Sequence, residues 1–157
     1  MWNIAVKNER TTEDIALGIR RRVFEHAMRN NGGYLFIAPA HYALVAYATL
    51  IETGRMAAEG LEMFNKDGSS VEMIGAEHSP GMEVHNGTLG IGLSTAAGLA
   101  WARKRKGEKG RVWVYMSDGE VQEGQTWEAI QCCAHHRIDN VKAIMDVTRQ
   151  QCDGAMD

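Results

Sequence analysis

The stretch Arg111-Val112-Trp113-Val114-Tyr115-Met116-Ser117-Asp118-Gly119-Glu120 reads as a buried strand that runs into a turn. Its β-branched and aromatic residues suit a pleated, covered surface, and Asp-Gly breaks the pattern. Downstream, Gln122–His136 reads as a helix, and Val141-Lys142-Ala143-Ile144-Met145-Asp146-Val147 as a second strand. Strand, helix and strand at this spacing form a βαβ unit, so the two strands run parallel and the crossover should be right-handed. The expectation is an α/β fold, a parallel sheet with helices on both faces.

Working back from that unit, Gly87-Thr88-Leu89-Gly90-Ile91-Gly92 opens a helix of small residues, Ser94, Ala96, Ala97, Gly98, Ala100 and Ala102. Small side chains let a helix sit close to a sheet. Arg103, Lys104, Arg105 and Lys106 follow it, a basic end that matches the helix dipole. Glu72–Glu83 has no clear period and reads as a loop, and Met56–Phe64 as a short helical piece. A helix is expected from Pro39, which tolerates a first turn, through His41–Thr53 to Gly54. Another is expected over Thr12–Arg29, capped by Thr11 and stopped by Asn30-Asn31-Gly32-Gly33. Its Ile15, Ile19, Val23 and Ala27 recur every four residues as one apolar stripe.

With 157 residues, 45% of them hydrophobic, 24% charged and only two prolines, the chain has the composition of one folded domain. A net charge of −3 gives no broad basic surface, so nucleic acid is not the expected partner. No apolar run approaches the ~20 residues of a membrane span, and Met1–Arg10 lacks the apolar core of a signal peptide. Cys132, Cys133 and Cys152 form no CxxC pair, and their odd number suggests reduced thiols in a cytoplasmic protein.

Ligands of open parallel sheets gather at the carboxyl ends of the strands. Ser117-Asp118-Gly119-Glu120 stands at one such end and Asp146-Val147-Thr148-Arg149-Gln150 at the other. Asp118 offers a hard carboxylate oxygen, and Gly119 lets backbone approach closely, with N–H groups at the following helix start for phosphate oxygens. Thr148 and the Gln150 carbonyl could add oxygen ligands. Mg²⁺ favours such a set, a few protein oxygens together with phosphates and water. Asp-Gly after a strand is by itself often only a turn; the second strand end and the Gly87–Gly92 loop strengthen the reading.

Pro80-Gly81-Met82-Glu83-Val84 followed by Gly87-Thr88-Leu89-Gly90-Ile91-Gly92-Leu93-Ser94 resembles the transketolase family, where a PGVE segment leads into G-[ST/P]-LGQG. Ser117–Ala129 resembles that family's thiamine-diphosphate motif, GDGE-x-x-EG-x-x-WEA. His136-Arg137-Ile138-Asp139-Asn140 is similar to its kLdN, and Asp146–Gly154 to its D-x-N-x-x-Q-x-DG. Twenty-eight residues separate Gly119 from Thr148, within the family's spacing. The resemblance runs from about Gly32 to Gly154 and is strongest to the amino-terminal subunit of a split transketolase.

The resemblance implies a function: transfer of a two-carbon ketol unit between sugar phosphates, with thiamine diphosphate and Mg²⁺ as cofactors. It implies Asp118, Thr148 and the Gln150 carbonyl as metal ligands, Gly119 and Glu120 as backbone donors to the diphosphate, and Gly87 and Leu89 as the lining of the thiamine. It places Glu123 in a carboxylate network at a subunit interface. His78 and His85 flank the presumed thiamine loop as candidates for substrate or cofactor contact. The family's activating Glu belongs to the other half of the enzyme. A carboxy-terminal partner subunit, and a homo- or hetero-oligomer, are therefore expected.

The departures are specific. Thr148 stands where the family has Asn, which predicts weaker metal binding or none. Ser117 replaces the first Gly of GDG, and Asn31-Gly32-Gly33-Tyr34 lacks the His of GHPG. Residues 1–157 would form a single thiamine-diphosphate-binding domain, incomplete at its carboxyl end relative to the family. The alternatives are the alpha subunit of a 2-oxoacid dehydrogenase and a non-catalytic remnant that binds a partner. Ile138-Asp139-Asn140 and Trp127-Glu128-Ala129 favour transketolase over the former. Other residues take plainer readings. Cys132, Cys133, Trp127 and the nine methionines are expected to pack the core, and His41 to be structural. Trp101 should cover a helix end or an interface, and His135 and His136 should lie at the surface or the cofactor's edge.

Overall fold

The structure, a computed structural model, describes residues 3–6, 33–82, 84, 87–151 and 154–155. Its sheet is built from β1 (Asn3–Val6), β2 (Tyr34–Ile37), β3 (Val112–Ser117) and β4 (Val141–Val147). Their order across the sheet is β1-β4-β3-β2, and every pairing is parallel. Val112 of β3 lies opposite Val141 of β4, and Ser117 opposite Asp146, so the two strand ends read from the sequence finish side by side. A second pairing joins the short β5 (Gln150–Gln151) and β6 (Gly154–Ala155) antiparallel.

Helices α1 (Ala43–Glu52), α2 (Ile91–Arg105) and α3 (Gly124–His135) cover the sheet on both faces, as expected. The alternation of β3 explains why. Val112, Val114 and Met116 join Phe36, Leu93, Ala96, Ala100 and Ala129 in a core under α2 and α3. Tyr115 turns to the opposite face, where it meets Ile37, Val45, Ala46 and Met82 under α1. The small residues of α2 do what their size allows: a Cβ on Gly92 would overlap Cα and Cβ of Ala38. The basic end of α2 is engaged locally. Lys104 Nζ reaches Asp139 Oδ1 at 2.7 Å, and Arg103 donates to the Lys109 carbonyl at 2.7 Å.

Several boundaries differ from the sequence expectations. The helix begun at Pro39 starts as a 3-10 turn at Ala40–Tyr42 before α1, and Met56–Phe64 is 3-10 over Ala58–Met63. The helix expected from Gln122 begins at Gly124, because Gly119–Gln122 forms a separate 3-10 turn. Strands β1 and β2 have no counterpart in the sequence reading. Trp127 is 53% exposed, not core, because its indole N–H finds the Val121 carbonyl (2.8 Å) on the surface. Cys132 is exposed, while Cys133 packs against the core. Met82 and Met116 are buried, but Met63 and Met73 lie at the surface. The helix expected over Thr12–Arg29, and Glu83, His85, Cys152 and Asp153, lie outside the described residues.

Candidate functional site

The site forms where β3 and β4 end. Parallel pairing aligns the last residues of both strands, and the Asp118 N–H continues the ladder by donating to the Asp146 carbonyl at 3.0 Å. Asp118 is buried, with 6% of its surface exposed. Its Oδ1 accepts from the Gly119 N–H at 2.9 Å, and its Oδ2 from the Arg149 N–H at 2.6 Å. Arg149 adopts a left-handed backbone, φ 60°, and this turn returns the chain toward Asp118.

Three oxygens converge there. Thr148 Oγ1 lies 3.3 Å from Asp118 Oδ1 and 3.4 Å from the Gln150 carbonyl oxygen. A hydroxyl has one proton, so it can donate to only one of them. Adjacent ligands of an octahedral Mg²⁺ with ~2.1 Å bonds stand about 3 Å apart. A carboxylate, a hydroxyl and a carbonyl are hard donors, and at these separations they fit a small divalent cation. Asp118, Thr148 and Gln150, singled out from sequence, are thus neighbours in space.

The Gly119 N–H is engaged by Asp118, and the Glu120 N–H donates to Ser117 Oγ at 3.1 Å. Ser117, which the sequence marks only as a replacement for glycine, therefore holds the turn. Glu120 has no exposed surface. Its Oε1 accepts from the Gly90 N–H at 3.0 Å, and its carbonyl accepts from Thr126 Oγ1 at 2.9 Å. Burial pushes its carboxyl up to about 7, with the nearby Glu123 charge adding to the rise and the Gly90 and Ser117 hydrogen bonds opposing it.

Gly87 and Leu89 are exposed, and the loop they belong to ends at Gly90, whose φ of 88° starts α2. A Cβ on Gly90 would stand 2.7 Å from Glu123 Cβ, so glycine is required on two grounds. Glu123 is exposed at the start of α3 and backs onto that glycine. His78 is exposed in the loop of residues 72–82, its Nε2 3.0 Å from Glu72 Oε2; no described contact joins it to Asp118.

Tyr42 is the residue the sequence reading missed. Burial, followed by the negative charges of Asp146, Asp118 and Glu120, pushes its phenol up to about 12. Its ring packs at 5.8 Å from that of Tyr115 and edge-on to His41 at 4.9 Å. The signal was positional: Tyr42 lies just past the carboxyl end of β2, where an open sheet collects its ligands. His41, expected to be structural, is exposed beside it. At the far end of α2 and α3, Trp101 stacks on His136 at 4.9 Å, and His135 meets His136 edge-on. Among the described residues no group of three His, Cys, Asp or Glu is placed to hold a metal, which leaves the mixed oxygen set at Asp118.

The chain's relatives are consistent with one another. Residues 30–157 match the family described as "Transketolase, thiamine diphosphate binding domain". A transketolase family protein of Sinorhizobium fredii is 44% identical over 115 residues, 73% of this chain and 41% of that protein. An apulose-4-phosphate transketolase subunit of Actinobacillus succinogenes is 36% identical over 109 residues, 69% of this chain and 40% of that one. The crystal structure of transketolase from Campylobacter jejuni superposes with a TM-score of 0.73 at 26% identity, covering 80% of this chain and 21% of that chain. The chain spans about two fifths of the length of these two curated relatives.

Proposed function

Because the chain belongs to the transketolase family through its thiamine-diphosphate-binding domain, we propose that it is the amino-terminal subunit or part of a split transketolase. On this reading it moves a two-carbon ketol unit between sugar phosphates, together with a carboxy-terminal partner subunit, in the cytoplasm. The convergence of Asp118, Thr148 and Gln150 at two adjacent strand ends carries the proposal. The Actinobacillus relative is itself named as one subunit of a transketolase, which supports the partner.

Thiamine diphosphate, when bound, supplies the carbanion chemistry. The residues of this chain bind and orient it. Asp118, Thr148 Oγ1 and the Gln150 carbonyl would hold Mg²⁺, which would offset the charge of the diphosphate. Gly119 and Glu120 shape the turn beside it, and Gly87 and Leu89 line the thiamine. Glu123 is assigned to the interface with the partner, and His78 to the substrate side. The described chain is read as one cofactor-binding domain whose active site is completed between subunits.

Calorimetry of Mg²⁺–thiamine diphosphate binding, on the chain co-expressed with a carboxy-terminal transketolase subunit, tests this. Saturable heat that vanishes in Asp118→Ala is expected. Ketol transfer, rather than 2-oxoacid decarboxylation, is then the activity to find. One observation favours a second reading: Thr148 stands where the family motif has Asn. A chain that joins its partner yet gives no heat would be a non-catalytic remnant.

A further inference from the structure

Glu120 is an expensive residue to keep where it is. It has no exposed surface, and its Oε2 has no hydrogen-bond partner among the described residues. A buried, half-engaged carboxylate stabilises a fold less than an apolar side chain of the same volume. What the carboxylate adds is a link. On one side its own backbone is pinned, the N–H to Ser117 Oγ and the carbonyl to Thr126 Oγ1. This fixes it two residues beyond Asp118. On the other side Oε1 takes the N–H of Gly90, at the end of the Gly87–Leu89 loop. Gly90 also lies close against the start of α3, where a Cβ built on it would stand 2.7 Å from Glu123 Cβ.

Resting on the cofactor reading above, we propose that Glu120 is a positioning residue: its carboxylate sets the Gly87–Gly90 loop at the separation from Asp118 that a ligand spanning both requires. The one hydrogen bond its carboxylate makes among the described residues is to Gly90. It acts through Gly90, coupling the diphosphate end of the cradle to the thiamine end.

Two variants of the full chain, each paired with the carboxy-terminal partner subunit as the parent is, separate this role from a structural one. Glu120→Gln keeps an oxygen acceptor for Gly90, whereas Glu120→Met keeps the volume and removes it. Three quantities are measured on each: the thermal unfolding midpoint, hydrogen exchange of the Gly90 amide by NMR, and affinity for Mg²⁺–thiamine diphosphate. Glu120→Met should unfold no lower than the parent. Its Gly90 amide should exchange about tenfold faster, and its affinity should fall about tenfold, the scale of one hydrogen bond to a charged group. Glu120→Gln should restore both. Unchanged Gly90 exchange in Glu120→Met overturns the link, and unchanged affinity with Gly90 released overturns the positioning role. A lowered midpoint with exchange and affinity intact leaves a packing residue only. If the parent chain binds nothing while Gly90 still responds, the cofactor reading fails, and the role with it, but the Glu120–Gly90 link stands.

Discussion

Thr148 Oγ1 has two acceptors within 3.4 Å and a single proton, which leaves one oxygen pair facing without a hydrogen between them. A cation at the proposed site would resolve that conflict, but a hydroxyl is a shorter and weaker donor than an amide carbonyl. Thr148→Asn should therefore raise Mg²⁺ affinity by on the order of tenfold, about 1.4 kcal/mol. Calorimetry with Mg²⁺ and thiamine diphosphate measures it, and an unchanged constant would remove Thr148 from the ligand set. Tyr42 gives a second residue-level test. Its folded pKa of about 12 exceeds the ordinary phenol value of about 10. The folded chain then keeps a proton that the unfolded chain releases. The contribution to stability is complete below pH ~10 and is lost as pH rises toward ~12. Difference titration of phenolate absorbance, parent against Tyr42→Phe, should show a late step centred near the higher value.

Helix α2 was legible as an element because its composition announces close packing, and the two glycines within it make opposite predictions. Gly92 abuts a backbone atom of Ala38 that cannot yield, whereas a Cβ on Gly98 would meet nothing within 4 Å. Gly92→Ala should cost about 1–3 kcal/mol through overpacking. Gly98→Ala should add about 0.5–1 kcal/mol by lowering the entropy of the unfolded chain. Urea unfolding of the two variants compares them directly. The β3–α3–β4 unit was equally readable, since five of the six residues of β3 and five of the seven of β4 are apolar. Strand β2 was not. Tyr34-Leu35-Phe36-Ile37 is four residues long, too short for a period, and its character comes from pairing with Trp113 and Val114 far along the chain. Missing β2 also hid Tyr42, whose place at the site depends on where that strand ends. Trp127 was misread for a related reason: size and aromaticity argue for burial, but one hydrogen bond to Val121 holds the ring outside.

At the scale of the molecule, one sheet divides two apolar cores and brings the carboxyl ends of its strands to one edge. That division followed from the parallel topology the sequence implied. The site is harder to read from sequence because its parts are linked across long stretches, Gly90 to Glu120 and Asp118 to Arg149. No helix among the described residues is long and apolar enough to cross a membrane. The exposed indole of Trp127 has an optical consequence. Its N–H is tied to Val121, whose own N–H donates to the Asp118 carbonyl at 3.0 Å, so the fluorophore is mechanically joined to the turn that carries the acid. A ligand that shifts this turn should change the colour or intensity of the emission. Trp127→Phe should abolish that change while the calorimetric heat persists, giving an unlabelled chain its own dial for occupancy.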